Sequence, residues 1–387
     1  MTVLVLSNDV VPGFGAPVAA PGLRAAGIAA GLRSHGFDVE LVVPADVARL
    51  AGIAERPAPE GSRVVELPEL MDHIEASGVA VVVFTNANLT PHLRPLGNVS
   101  FVYDLFAPKM LERLASPNPE QGWDALADQK ERALALADSV WVNGRRKLGY
   151  ALAWMMRSGV ESHRQVLEKP SMFDSDPAGR VHLVEMPVLP LDDPGAGSDS
   201  DTATPGPCRV GIGGYAQHWS ALPEVHSAHQ ALDEAGHEIH ALLPQHWAAG
   251  DASAPASALP PNTVMTTGPL RLPDFFAWVR SMDVMVDVFP GTAERRLAMI
   301  TRSAVAIGWG IPVIHGVDSE VADIIREFDA GWVETSDDLD AWRAIAEEVK
   351  DPSVRATKRA GAVAAARERF DPHAALAAAA VDLRNLR

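Results

Sequence analysis

Short apolar runs alternate with helical patterns along almost the whole chain, and few folds accept that alternation. Val3 to Leu6 is apolar; the turn-rich stretch from Asn8 to Gly22 follows it, and then a pattern with Ala25, Ile28, Ala29 and Leu32 on one face. Gly36 ends this helix and Val39 to Val43 supplies the next strand, closing a strand-helix-strand unit. Val79 to Phe84, Val99 to Tyr103 and, after a helical Glu131 to Ala137, Val140 to Val142 repeat the theme. Strands separated by helices pair in parallel, and a parallel sheet must be covered on both faces. The expected class is α/β.

A second series begins after an interruption. Leu191 to Pro207 is rich in Asp, Ser, Gly and Pro and has almost nothing to bury, so it reads as an acidic linker. Beyond it lie apolar runs at Arg209 to Ile212, Glu238 to Leu243, Val264 to Thr266, Val284 to Val288, Pro312 to His315 and Gly331 to Glu334. Helical patterns at Leu222 to Ala235, Leu272 to Val279, Glu294 to Ile307, Glu320 to Phe328 and Leu339 to Val349 separate them, and two closing helices follow at Arg355 to Arg369 and Pro372 to Leu386. At 387 residues the chain exceeds what one core usually serves. Two open Rossmann-like domains are expected, at 1–190 and 208–365, with 191–207 between them.

Charge and cysteine content exclude several functions. A net charge of −17 speaks against a nucleic-acid surface, which needs clustered Lys and Arg. The lone Cys208 rules out an internal disulfide and any multi-cysteine zinc site, in keeping with a reducing compartment. The N-terminus reads as a strand and not a signal peptide, and no apolar run is long enough to span a bilayer. The expected location is the cytoplasm. His237 and His240 flank a strand-like pair and lack helical zinc spacing, so no metal site is expected.

In open parallel sheets ligands bind beyond the carboxyl ends of strands, which directs attention to the loops there. Gly13 and Gly15 follow the first strand, where glycine amides suit a phosphate and a plain turn equally well. Asn86, Asn88 and His92 follow the strand ending at Phe84 and suit an acceptor hydroxyl, although turn formation accounts for the asparagines too. Asp104 closes the run Phe101 to Phe106, as a site acid or as an Asx turn. Gly213 and Gly214 follow the first strand of the second series and offer backbone amides to phosphate. Trp219 and Trp309 are candidates for stacking on a base or sugar, with core packing the default.

Two segments carry a resemblance. The run from Gly15 to Arg24-Ala25, with its Gly-Leu-Arg, resembles the opening of family 4 glycosyltransferases, and Ala137 to Asn143 is similar to the end of their N-terminal domain. Glu294-Arg295-Arg296, Thr301-Arg302 and Gly308-Trp309-Gly310-Ile311-Pro312-Val313 resemble the donor-binding helix and glycine turn of a family 4-like subgroup. The resemblance implies a GT-B architecture, with an acceptor-side domain and a donor-binding domain facing across a cleft. It also implies that 366–387 packs back on the first domain.

The implied activity is transfer of a sugar, with retention, from a nucleotide diphosphate donor to a hydroxyl or amine of a small molecule or glycan. No cofactor or metal is implied, and a homo-oligomer stays open. Asp104 and Glu294 become the candidate catalytic acids, Gly13, Gly15, Gly213, Gly214, Arg302 and Gly310 the donor-binding set, and Asn86, Asn88 and His92 the acceptor-binding set. One departure matters. The family's two acids, counted back from Gly310, fall on Leu297 and Val305, so Glu294 is expected to act from an earlier turn of the same helix. That departure also admits a degenerate GT-B subunit that binds a partner. A nucleotide-sugar epimerase is the remaining rival.

Overall fold

The computed structural model describes residues 1–116, 118–159, 180–190, 205–215, 222, 225–245 and 258–386. Residues 191–204 of the expected linker, together with His218, Trp219 and His246, lie outside the described residues. The chain divides into two units, Met1–Leu189 with Pro372–Arg387, and Pro190–Asp371.

Unit 1 is built on β1 (Thr2–Leu6), β2 (Asp38–Pro44), β3 (Ser62–Val65), β4 (Val81–Phe84), β5 (Ser100–Leu105), β6 (Ser139–Val142) and β7 (Val181–Leu183). They pair in the order β3-β2-β1-β4-β5-β6-β7, all parallel. The central strands are buried on both faces, which is why they read as unbroken apolar runs. β3 and β7 have no counterpart in the expected elements. Both are edge strands, one the half-exposed Ser-Arg-Val-Val and the other only three residues long, so neither carries an apolar run.

The first helix, Ala20–Ser34, lies so close to the chain leaving β1 that a Cβ on Gly22 would stand 1.8 Å from the Val10 carbonyl oxygen. Two residues on, Arg24 is fully buried and binds Asp104 of β5 through two bonds, Nη2 to Oδ1 at 2.7 Å and Nε to Oδ2 at 3.1 Å. Its remaining donors reach the carbonyls of Val184 and Glu185. The Gly-Leu-Arg of the sequence is thus a packing device: glycine for the approach, arginine for the anchor.

The C-terminal helices Pro372–Ala375 and Ala377–Asn385 belong to unit 1. Gly31 makes room for the Pro372 carbonyl, and Asp382 enters the sheet side. One Asp382 oxygen accepts from Ser139 Oγ at 2.6 Å and Trp141 Nε1 at 2.8 Å, and the other lies 3.1 Å from His182 Nε2.

Unit 2 carries β8 (Arg209–Gly213), β9 (Glu238–Leu242), β10 (Val264–Met265), β11 (Val284–Asp287), β12 (Val313–His315) and β13 (Gly331–Val333), in the order β10-β9-β8-β11-β12-β13, again all parallel. The helix expected from Glu294 to Ile307 is two helices, Ala293–Leu297 and Thr301–Gly308. Ala298 and Ile300 between them are extended, and Met299 and Ile300 turn inward to burial at 4% and 2% exposure. Burial overrides the helical pattern at this point. No helix among the described residues is long and apolar enough to cross a membrane.

The Asp382 contacts predict how the C-terminal segment fails. Burial works to raise this carboxyl, but the bonds from His182, Ser139 and Trp141 outweigh it and hold it below its usual value. A depressed carboxyl contributes stability above its unfolded pKa and loses it as pH falls through the folded one. Asp382→Ala should cost about 3 kcal/mol at pH 7, with the gap to wild type narrowing below about pH 4. Urea unfolding of both proteins at pH 7 and pH 3.5 checks this.

Candidate functional site

The strand order locates the polar sites. In unit 2 the chain runs from β8 outward to β9 and β10, then returns to place β11 on the opposite side of β8. The crevice at such a reversal, beyond the carboxyl ends of the two strands, is where open α/β sheets bind ligands. Gly213, Gly214 and Tyr215 leave β8 there, and Asp287 to Phe289 leave β11.

Arg302, from the helix Thr301–Gly308, occupies this crevice. Its Nη2 donates to the Tyr215 carbonyl at 3.2 Å, and its guanidinium carbon stands 4.6 Å from the centre of the Phe289 ring. Nε is 3.6 Å from Asp287 Oδ1, and the side chain keeps 21% of its surface exposed. Gly214 has φ +116°, a conformation L-residues avoid, and a Cβ there would sit 3.1 Å from Arg302 Nε. Gly214 therefore admits the guanidinium to the strand end, whereas Gly213 makes room for Trp278 and Met285.

Beneath Arg302 runs a buried chain of hydrogen bonds whose direction can be worked out. Ser303 Oγ donates to Asp287 Oδ2, and His315 Nδ1 lies 3.2 Å from the same Ser303 oxygen. Since the Ser303 proton is spent on Asp287, Nδ1 must be the donor. His315 Nε2 then accepts from Ser319 Oγ at 2.9 Å, and that oxygen accepts from Ala322 N–H at 3.3 Å, capping the helix Glu320–Phe328. Burial drives the His315 imidazole down to about 3, so it is neutral, as this pattern requires. Burial also pushes the Asp287 carboxyl up to about 6, with Arg302 and Ser303 opposing. Asp287 Oδ1 has no hydrogen-bond partner among the described residues.

Unit 1 reverses its order between β1 and β4. Asn8 follows β1, and Asn86 and Asn88 follow β4; Asn8 Nδ2 donates to Asn88 Oδ1 at 3.4 Å. Asn86 is 6% exposed, and its Nδ2, like Asn8 Oδ1, has no partner among the described residues. One amide donor and one amide acceptor, both buried, are thus left unpaired beside this reversal, a pairing of the kind a hydroxyl can satisfy. His92 ends the short helical turn Ala87–His92, half-buried; Thr90 ties that turn to the Gln129 carbonyl at 3.3 Å.

The structure revises four expectations. Asp104 is fully buried with both oxygens on Arg24, so it holds the first helix and presents no carboxylate to a ligand. Glu294 is 3% exposed and accepts through both oxygens from Arg295, Oε1 from Nη2 at 2.6 Å and Oε2 from Nε. It also lies outside the helix of Thr301 and Val305, so it does not share their stripe. Gly310 ends that helix, its N–H bonding the Ile307 carbonyl at 2.8 Å, and precedes β12. It therefore stands at the amino end of the sheet, away from the crevice. Gly13 and Gly15 have positive φ; Gly13 packs on Pro59, and Arg56 Nη1 holds the carbonyls of Phe14 and Gly15 at 2.9 and 2.6 Å. Packing within unit 1 already accounts for both glycines.

Asn8, Asp287, Ser303 and His315 join these crevices without having stood out in the sequence. Asp287 had a signal, an acid inside the apolar run Val-Met-Val-Asp-Val, while Ser303 and His315 had none apart from the fold.

No protein family matches the chain by sequence, and no curated protein does. Solved structures do match. A sucrose-phosphate synthase (tll1590) from Thermosynechococcus elongatus superposes with a TM-score of 0.65 at 12% identity, over 100% of this chain and 98% of that one. Anabaena Alr3699/HepE, in complex with UDP and glucose, gives 0.59 at 13%, over 99% of each. WaaG, a glycosyltransferase involved in lipopolysaccharide biosynthesis, gives 0.58 at 12%, over 99% and 98%. The chain has the GT-B fold. At these identities the likeness carries the fold and nothing finer, and the GT-B crevice of unit 2 must be argued from its own residues.

These placements give a test. Breaking a buried ion pair from one side costs about 3–5 kcal/mol. Asp104→Asn and Glu294→Gln should accordingly lower the melting temperature. Calorimetric melting of both variants beside wild type checks this.

Proposed function

We propose that the protein is a glycosyltransferase that moves a sugar from a nucleoside diphosphate donor to a hydroxyl or amine acceptor. The observation that carries this reading is Arg302, a cation whose side chain is partly exposed at the strand-order reversal of unit 2, seated against Gly214 of a GT-B fold. A diphosphate needs a cation at such a point, and Arg302 supplies one; the Gly214 N–H is already given to the Leu242 carbonyl at 3.0 Å, so the charge falls to the guanidinium. The neighbours support the choice of ligand: HepE is described with UDP-glucose, and an α-glucosyltransferase of TM-score 0.60 with UDP and a DNA containing an HMU base.

In this reading Arg302 stabilises the charge that builds on the departing diphosphate. Asn8, Asn86 and Asn88 orient the acceptor hydroxyl at the crevice of unit 1. Retention is the proposed outcome, and protein groups rather than a divalent metal handle the leaving group. The single, buried Cys208 fits work in the cytoplasm.

One observation favours a second reading. With Asp104 and Glu294 both held in ion pairs, a subunit that binds nucleotide without turning it over is consistent with the same crevice.

UDP, GDP, dTDP and ADP should be screened by thermal shift, since a ligand that binds only the folded state raises its melting temperature. One of them should do so, and Arg302→Ala should weaken its binding by roughly ten- to a hundredfold. Sugar transfer should persist in EDTA. Binding without transfer to any acceptor selects the second reading, and no binding at all removes both.

A further inference from the structure

We propose that Asp287 is a positioning residue for Arg302 and takes up a proton when a nucleoside diphosphate binds there. The inference rests on the reading above, that such a diphosphate occupies the crevice of unit 2. Three observations carry it. Asp287 is 3% exposed and its Oδ1 lies 3.6 Å from Arg302 Nε, close enough to counter the charge and too far for a hydrogen bond. Its Oδ2 is committed to Ser303, at the end of the directional chain from Ser319 through His315. Oδ1 alone is unbonded, so an arriving proton has one place to land, and solvent supplies it as the carboxylate becomes a carboxylic acid.

The charges around Asp287 set the direction. Arg302 faces it from the helix Thr301–Gly308, and Arg295, paired with Glu294, adds a more distant positive charge. His315 on β12 is neutral, and the adjoining Gly211 to Gly213 of β8 bring no ionisable group. Asp287 in the free protein is therefore an acid of pKa about 6, balanced by Arg302 against its burial. A diphosphate on Arg302 places new negative charge beyond the guanidinium, and like charge disfavours the ionised carboxyl. The carboxyl pKa rises on binding, so affinity must fall as pH rises through that interval.

The probes are UDP-glucose, GDP-mannose, ADP-glucose and dTDP-glucose, whose diphosphate diesters do not titrate in this range. For whichever binds wild type best, the dissociation constant should be about tenfold weaker at pH 8 than at pH 6. Calorimetry in two buffers of different ionisation enthalpy should show proton uptake at pH 7. In Asp287→Asn both the slope and the uptake should vanish, whereas a purely structural loss would change melting and leave the slope. Should Asp287→Asn fail to fold, Ser303→Ala supplies the check: without the Ser303 bond the carboxyl holds its proton more strongly, and the slope should move to higher pH. A wild type without a slope, an Asp287→Asn that keeps it, or a Ser303→Ala that leaves it in place overturns the proposal while nucleotide binding stands. If wild type binds none of the four, the functional reading falls and this inference with it.

Discussion

Parallel pairing is the constraint on which the rest depends. Once every strand of a sheet runs the same way, all carboxyl ends share one edge, all amino ends share the other, and each connection must cross a face as a helix or loop. The two sheets here each add strands outward from a central one, first to one side and then to the other. The reversal leaves a gap between neighbouring loops that diverge. In unit 1 that gap falls between β1 and β4, and in unit 2 between β8 and β11, so Asn8, Asn86, Gly214, Asp287 and Arg302 are brought to their crevices by topology.

This explains which parts were legible in the sequence. Central strands such as Val3 to Leu6 and Val81 to Val83 are buried on both faces, and burial on both faces demands an unbroken apolar run. Edge strands make no such demand, so β3 and β7 left no trace. The break at Ala298 to Ile300 was hidden for a different reason. It contains no glycine or proline, and only the inward turn of Met299 and Ile300 produces it, an effect of the surrounding core that local pattern does not encode.

Site residues were legible by position and illegible by partner. The rule that ligands gather beyond strand ends selected Asn86, Asn88, Gly213 and Gly214, which the topology places beside the strand-order reversals. It also selected Asp104, which ends β5 in the right place but meets Arg24, eighty residues earlier in the chain. Nothing along the sequence announces that pairing. Gly310 shows the converse error, since a resemblance drew attention to a glycine turn that lies at the amino end of β12 and serves to stop a helix.

Among the described residues, the three arginine pairs with a buried carboxylate make the final distinction. Arg24 with Asp104 and Arg295 with Glu294 are bidentate, each carboxylate oxygen bonded and each pair shut away from solvent. Such pairs are complete; a ligand has nothing to offer them that would offset breaking the bonds they have. Arg302 with Asp287 is different in kind, for it touches through no hydrogen bond, leaves one carboxylate oxygen unbonded and keeps part of the arginine side chain in contact with solvent. An unfinished pair holds its arginine in place electrostatically and still leaves donors to spend on an anion. That incompleteness, more than the presence of charge, makes the crevice of unit 2 this chain's candidate site for an anion.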